Sequence, residues 1–414
     1  MTHRRTWIFW LLVLVGIVAF TVRRPSMLVA PTFWGEDGRN FYANAVQPGW
    51  DLLSVYAGQI WVVQRTASAA LAQLPPAQTP LAFYLFACAA AVLGFSVVLQ
   101  QRATWLFGRF RYQVLAFAVL VFLPTLVEAQ GNLANLHEML AISALVALVL
   151  PAPRTRIGQV AEVSYIAVVC LTGFVGLLLS PVALWGAWKQ WGSRYVLVRS
   201  AVALLAAAVN VTFLLIGGRA PAADIGIRLS TFPGAVVRRV GDGMALGEHV
   251  LAVFWPRGFI GWLAIPGLLI VVLLAYLLWQ DRRGPSWVWL FSGLVWLALG
   301  LTTPAASFDP RWAAISGPGY RYSVVAVAAG FLVLVRALGT GQRSSVRVPA
   351  ALGLGLCCVG LLGDAYLQPR TPAPTPDQLR AWQDCIESNS LLPCDLPQAP
   401  EGWTTTVYTW SLYR

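Results

Sequence analysis

The strongest constraint on this chain is the recurrence of long, almost uncharged apolar segments from one end to the other. Inside hydrocarbon a backbone must satisfy its own hydrogen bonds, so such segments fold as helices of about 20 residues. Composition agrees: 58% of residues are hydrophobic, 11% are charged, and the mean hydropathy is +0.66. Soluble domains are about 45–50% apolar. The expected fold class is therefore all-α, a polytopic helical membrane protein.

Spans are expected at 7–22, 80–99, 113–128, 134–150, 160–177, 180–192, 196–216, 259–279, 286–303, 321–338 and 348–363. The fifth and sixth come from one stretch divided at Ser180-Pro181, because it is too long for a single straight span. The opening MTHRR and the apolar run from Trp7 resemble a signal peptide. No small-x-small cleavage site comes after it and Arg23-Arg24 closes the run, which reads as a retained first span.

Basic residues set the orientation. With the N-terminus inside, Arg4, Arg5, Arg102, Arg109, Arg111, Arg154, Arg156, Lys189, Arg194, Arg199, Arg282, Arg283, Arg336, Arg343 and Arg347 fall in six short inner segments. The rest are diluted over longer outer loops, the positive-inside asymmetry. Of the 17 acidic residues only Glu162 and Asp281 lie inside. Eleven spans give an N-in, C-out chain, with a membrane domain over 1–363 and a short outer tail over 364–414.

The net charge of +12 is spread over many loops and does not mark a nucleic-acid surface. The inner loops are too short for a nucleotide-binding domain. No GxxxxGK[ST] occurs, and Gly353 and Gly355 lie within a span, where small residues serve helix packing. Most of the mass outside the spans is on the outer side, in loops 23–79, 217–258 and 304–320 and in the tail. With three His and no CxxC or HExxH, a Cys/His metal site is poorly supported. Cys385 and Cys394 stand nine apart in the outer tail and fit a disulfide. The other four cysteines sit in spans.

In the first outer loop, Ile60, Val63, Ala67, Ala70, Leu71 and Leu74 come after Tyr56 at helical spacing, with Arg65 on another face. This predicts an amphipathic helix lying in the membrane interface, ended by Pro75-Pro76. Just before it stands GEDGRNFY, whose Glu36 and Asp37 are fenced by glycines and flanked by Phe33, Trp34, Phe41 and Tyr42. The pair is either a solvated turn or a general base whose pKa partial desolvation raises. The second reading fits the aromatic, headgroup-depth setting, with Asp37 slightly ahead of Glu36.

Further candidates lie in GNLANLHEM, where Asn132, Asn135, His137 and Glu138 form either a polar hairpin cap or a functional cluster at a membrane edge. The outer arginines Arg65, Arg238, Arg239, Arg257, Arg311 and Arg321 match phosphate geometry. Simple attraction to lipid headgroups is the competing account for each. Arg321, between Tyr320 and Tyr322 at the start of a span, points to function.

On the acidic loop motif, the helix SVYAGQIWVVQRTASAAL, the turn GNLANLHEM, the SPVALW break and GYRYSVV, the chain resembles the type C (GT-C) membrane glycosyltransferases. The resemblance implies a transferase that takes a sugar from a polyprenyl-phosphate donor and gives it to a glycan or lipid acceptor at the outer face. It implies a bacterial cytoplasmic membrane, a base at Asp37 or Glu36, and inversion by single displacement. Substrate contacts would come from Arg65, Tyr56, Asn132, Asn135, His137, Glu138, Arg257, Arg311, Tyr320 and Arg321. Arginine or a divalent cation such as Mg or Mn would stabilise the leaving phosphate. Larger family members carry a sizeable outer C-terminal domain; the tail here has about 50 residues, which favours a glycan or lipid acceptor over a peptide. Three alternatives compete: a flippase of lipid-linked glycans, an O-antigen-ligase-like or polymerase-like enzyme built on loop 217–258 with Arg238, Arg239 and His249, and a purely structural membrane protein, which the polar clustering disfavours.

Overall fold

The computed structural model describes residues 3–47, 51–56, 58–216, 232–254, 260–300, 319–367, 373–388, 393–398 and 403–407. Within them the chain runs α1 (His3–Val22), α2 (Val62–Leu71), α3 (Thr79–Phe95), α4 (Phe110–Val121), α5 (Leu136–Ala147), α6 (Arg156–Cys170), α7 (Val175–Lys189) and α8 (Arg194–Ile216). It continues through α9 (Gly243–Phe254), α10 (Ile260–Gln280), α11 (Ser286–Gly300), α12 (Val324–Thr340), α13 (Ser344–Gly363) and α14 (Pro376–Glu387), and ends in a hairpin of β1 (Cys394–Gln398) and β2 (Trp403–Val407). Five helical segments are long and apolar enough to cross a membrane, and five more apolar helices are 10–17 residues long. The protein is a multi-pass helical membrane protein.

Side-chain bonds fix the helix directions. Arg5 at the start of α1 donates to Gln113 at the start of α4 (3.5 Å), and Arg23, just past α1, donates to the Val121 carbonyl at the end of α4 (2.9 Å). These two helices are therefore parallel. Tyr84, early in α3, donates to the Thr21 carbonyl (2.5 Å), while Gln113 donates to the Gln100 carbonyl beyond the end of α3 (2.8 Å), so α3 runs the other way. The first end of the bundle gathers the basic residues expected inside. There Glu162 pairs with Arg102 and Arg199, and Arg336 pairs with Asp281 while donating to the Leu106 carbonyl. The acidic loop motif lies at the second end, with Arg23, Arg24 and Asp364.

The helix α12 is buried all round from Val324 to Arg336 and forms the core against which α11 and α13 pack. Gly293 lets α11 approach closely: a Cβ there would stand 2.5 Å from Cα of Ala326. Small residues at such crossings replace the hydrophobic drive that lipid cannot supply.

Three expectations change. The stretch 160–192 does not divide at Ser180-Pro181. The proline lies inside α7, and the break falls at 171–174, where Gly173 has φ +62° and its N–H donates to the Ile60 carbonyl (2.8 Å). Packed neighbours let a membrane helix absorb a proline. The third span ends at Val121 and not at 128, because Pro124 cannot continue it. The segment beyond it, 122–135, is mostly buried and irregular. The interfacial helix is shorter than expected, starting at Val62, and it turns Gln64, Arg65 and Ser68 inward while Ala70 and Leu74 are less buried. Its buried side is thus partly polar.

Buried irregular backbone needs side-chain partners, and the segment 122–135 takes them from distant parts of the sequence. Arg23 donates to the carbonyls of Val121 and Leu123 (2.9 Å each) and of Asp364 (2.6 Å), and Arg24 donates to Val127. The Asp364 carboxylate accepts N–H bonds from Thr125 (2.8 Å) and, in the kinked α9, from Glu248 (2.8 Å) and His249 (2.9 Å). The two arginines that close the first apolar run are therefore buried struts.

The described residues of the tail form a helix joined to a hairpin. Thr375 and Gln378 form a capping box at the start of α14, and the Cys385–Cys394 disulfide ties α14 to β1. Trp382 packs its buried ring against Phe33 and Tyr42, at 6.2 and 5.4 Å between centroids.

Candidate functional site

The segment 35–42 begins at Gly35 and passes into a wide helical turn over Asp37–Tyr42. Its two acids point to different places. Asp37 is buried, and its carboxylate accepts the Leu133 N–H (3.0 Å) and the Ala134 N–H (2.6 Å). It caps the end of the irregular segment 122–135, just as Asp364 caps its beginning. Glu36, one residue earlier, lines a cavity of about 350 Å³ at the second end of the bundle, and Asp37 does not.

The opposite charge in that cavity is Arg321, in the one-turn helix Tyr320–Ser323 that leads into α12. Its Nη1 lies 4.0 Å from Glu36 Oε1, and its Nε lies 3.5 Å from Glu128 Oε1. Glu128 also accepts the N–H of Gly319 (2.8 Å) and of Arg321 itself (3.4 Å). The guanidinium is held from behind by one carboxylate and faces a second. It also stands over the Tyr322 ring at 5.1 Å.

The rest of the wall is aromatic with a few polar groups, the usual make-up of a small-molecule site. His137 lies between Trp61 and Trp296, at 5.0 and 5.7 Å between ring centroids, and its Nδ1 is 2.8 Å from the Ala134 carbonyl oxygen. Glu138 is buried beside it, with Oε2 lacking a hydrogen-bond partner among the described residues. Tyr56 also lines the cavity, and burial together with the Glu36 carboxylate pushes its phenol above the ordinary value. An ordinary phenol is already a hydrogen-bond donor at neutral pH, and the shift keeps it one.

Of the expected site residues, the cavity brings together Glu36, Tyr56, Asn135, His137, Glu138 and Arg321. It leaves out Asn132, which is fully buried; its Nδ2 donates to the Glu128 carbonyl (2.5 Å) and its Oδ1 accepts from the Asn135 N–H (2.7 Å). Arg65 is likewise buried and donates to the Asp51 carbonyl (3.4 Å) instead of presenting a charge at the surface. Tyr320 is buried with the Arg239 guanidinium 4.6 Å over its ring. Arg257 and Arg311 lie outside the described residues. Neither Arg238 nor His249 lines the cavity; Arg238 pairs with Asp242 (3.2 Å).

Sequence reasoning passed over Glu128, Gln59, Trp61 and Trp296 as site residues. Glu128 was visible as an acid at a span edge, but only folding places it behind Arg321. The aromatic residues were indistinguishable from the many others in an apolar chain.

Among the described residues the donor set does not fit a divalent cation. Among the described residues no three His, Cys, Asp or Glu side chains gather as ligands. The position between Glu36 and Glu128, where a cation would balance two carboxylates, is taken by the Arg321 guanidinium.

No family model matches the sequence, and no curated protein matches it. Among solved structures, the chain is similar to the oligosaccharyltransferase of Archaeoglobus fulgidus, crystallised with zinc and sulfate. The identity is 12% and the TM-score 0.42, with 92% of this chain and 55% of that one covered. The chain thus spans about half the length of that protein.

Proposed function

We propose that this protein is a membrane glycosyltransferase that moves a sugar from a polyprenyl-phosphate donor to a hydroxyl of a glycan or lipid acceptor, with Glu36 as the base. In this reading eleven helices, α1, α3 to α8 and α10 to α13, cross a bacterial cytoplasmic membrane, N-in and C-out, and the cavity faces outward. The observation that carries it is that a carboxylate, Glu36, and a cation, Arg321, line one cavity. A displacement at an anomeric carbon needs a proton acceptor beside the incoming hydroxyl and a fixed cation beside the departing phosphate.

In the proposed step the acceptor oxygen bonds to the anomeric carbon, its proton passes to Glu36, and the bond from that carbon to the phosphate oxygen breaks. The electron pair leaves on the polyprenyl phosphate, whose charge Arg321 stabilises through a guanidinium already oriented by Glu128. Single displacement inverts the anomeric configuration. Trp61, Trp296 and Tyr322 offer flat apolar faces to the C–H side of a sugar ring, and Asn135, Gln59 and Glu138 offer hydrogen bonds to its hydroxyls.

The test is transfer from decaprenyl-phosphate-linked pentoses and hexoses by the purified full chain in nanodiscs. Glu36→Gln should lower turnover about 10²–10⁴-fold, and Arg321→Ala about 10²–10³-fold. Full activity in well-folded Glu36→Gln would overturn the assignment of the base.

A further inference from the structure

We propose that Gln398, in the C-terminal hairpin, is a positioning residue for Glu36, so that the two ends of the chain build the site jointly. Gln398 is fully buried, and its Nε2 donates to the Gly35 carbonyl (2.8 Å), the residue directly before Glu36. Its Oε1 accepts from the Thr405 hydroxyl (2.6 Å) on the paired strand, which fixes the amide's orientation. Both ends of the Gln398 side chain are thus committed, and one commitment is to the backbone that aims the base.

The contact surface around this bond is tight. A Cβ at Gly38 would fall 1.8 Å from Thr405 Oγ1 and 2.2 Å from Gln398 Oε1, so the hairpin presses against the acidic turn where only glycine fits. Beside the same turn, Trp382 of α14 packs on Phe33 and Tyr42. The disulfide Cys385–Cys394 joins α14 to β1, the strand that carries Gln398. Asp37, pinned to Leu133 and Ala134, gives the turn a second anchor. With Asp37 holding the turn at one point and Gln398 at another, the Glu36 side chain is left directed at the cavity.

A fixed base matters because a displacement of about 1 Å can cost about 100-fold in rate. The hairpin meets the cavity wall through this turn, so its effect on chemistry runs through Glu36. The kinetic part of this inference rests on the proposed transferase reading; the structural part does not.

Gln398→Glu is the discriminating substitution. It keeps size and the acceptor toward Thr405, and replaces the N–H aimed at the Gly35 carbonyl with an oxygen. Hydrogen–deuterium exchange is measured on the full chain in nanodiscs, alongside Gln398→Ala and Cys385→Ser/Cys394→Ser. The expected result is at least about tenfold faster exchange over residues 34–42 in both Gln398 variants, with α5 and α12 unchanged. With a decaprenyl-phosphate sugar that the parent turns over, kcat should fall about tenfold or more at an unchanged KM, since donor contacts are intact. Parental exchange over 34–42 in Gln398→Glu would overturn the proposal, as would a parental kcat. If the parent itself turns over no polyprenyl-phosphate sugar, the transferase reading fails and the exchange result alone judges the clamp.

Discussion

Replacing Asp37 tests whether it is a strut or a base. Its carboxylate is the acceptor for two buried backbone N–H groups, those of Leu133 and Ala134, at 3.0 and 2.6 Å. Hydrogen bonds to a charged group contribute about 1.5–3 kcal/mol each, and a buried donor left without an acceptor costs about the same range. Asp37→Ala orphans both amides and should destabilise the fold by about 3–6 kcal/mol, a large share of the usual 5–15 kcal/mol. With an unfolding entropy of about 2.1 cal/mol/K per residue, that corresponds to a melting temperature lower by about 3–7 °C. Asp37→Asn keeps one carbonyl acceptor and turns an NH₂ toward the other amide, so it should lose about half as much. The assay is thermal unfolding of the purified chain in nanodiscs, with Glu36→Gln as the matched control. Glu36 lines the cavity instead of capping buried amides, and its variant should melt within about 1 °C of the parent. If both Asp37 variants melt with the parent yet lose transfer activity, Asp37 acts chemically and the strut argument is wrong.

The same geometry sets four further outcomes. Gly173→Ala places a Cβ at φ +62° and 3.1 Å from Gln59 Oε1, so it should cost about 1–2 kcal/mol, visible as a lower melting temperature. Glu128→Gln should weaken the hold on the Arg321 guanidinium and lower turnover without removing the base, giving a partial loss of about tenfold at constant melting temperature. Cys385→Ser opens a disulfide of sequence separation 9 and should release about 2–3 kcal/mol of local stability, seen as faster proteolysis within 373–407 while the membrane helices stay intact. Treatment with EDTA should leave turnover within about twofold, because the guanidinium occupies the place between the two carboxylates; a strong loss restored by Mn²⁺ would contradict that account.

Much of the architecture was legible in the residues. The apolar segments map one to one onto α1, α3 to α8 and α10 to α13, since a run that must satisfy its own backbone has few alternatives to a helix. The spacing of Cys385 and Cys394 allowed a disulfide without requiring one, and the fold joins them. The interest of GEDGRNFY was also legible, because two acids in so apolar a chain stand out. Which of the two faces a cavity was not, since adjacent residues on a helical turn point about 100° apart and only the surroundings say which direction is solvent, core or site. The same limit explains the helix after Tyr56. Its spacing announced two faces, but Gln64, Arg65 and Ser68 face inward because the protein interior there offers polar partners such as the carbonyls of Ala134 and Asp51.

By itself the sequence determined a helical membrane protein with its ionisable groups sorted toward the two ends, because hydrocarbon leaves no other solution for such a composition. Only the tertiary structure decided what those groups touch. The irregular segment around Pro124 is buried, and its backbone must be satisfied by side chains that are distant in sequence: Arg23, Arg24, Asp37 and Asp364. That requirement consumes Asp37 and leaves Glu36 facing Arg321. No local pattern encodes it, since the partners lie on separate elements and meet only when the bundle closes.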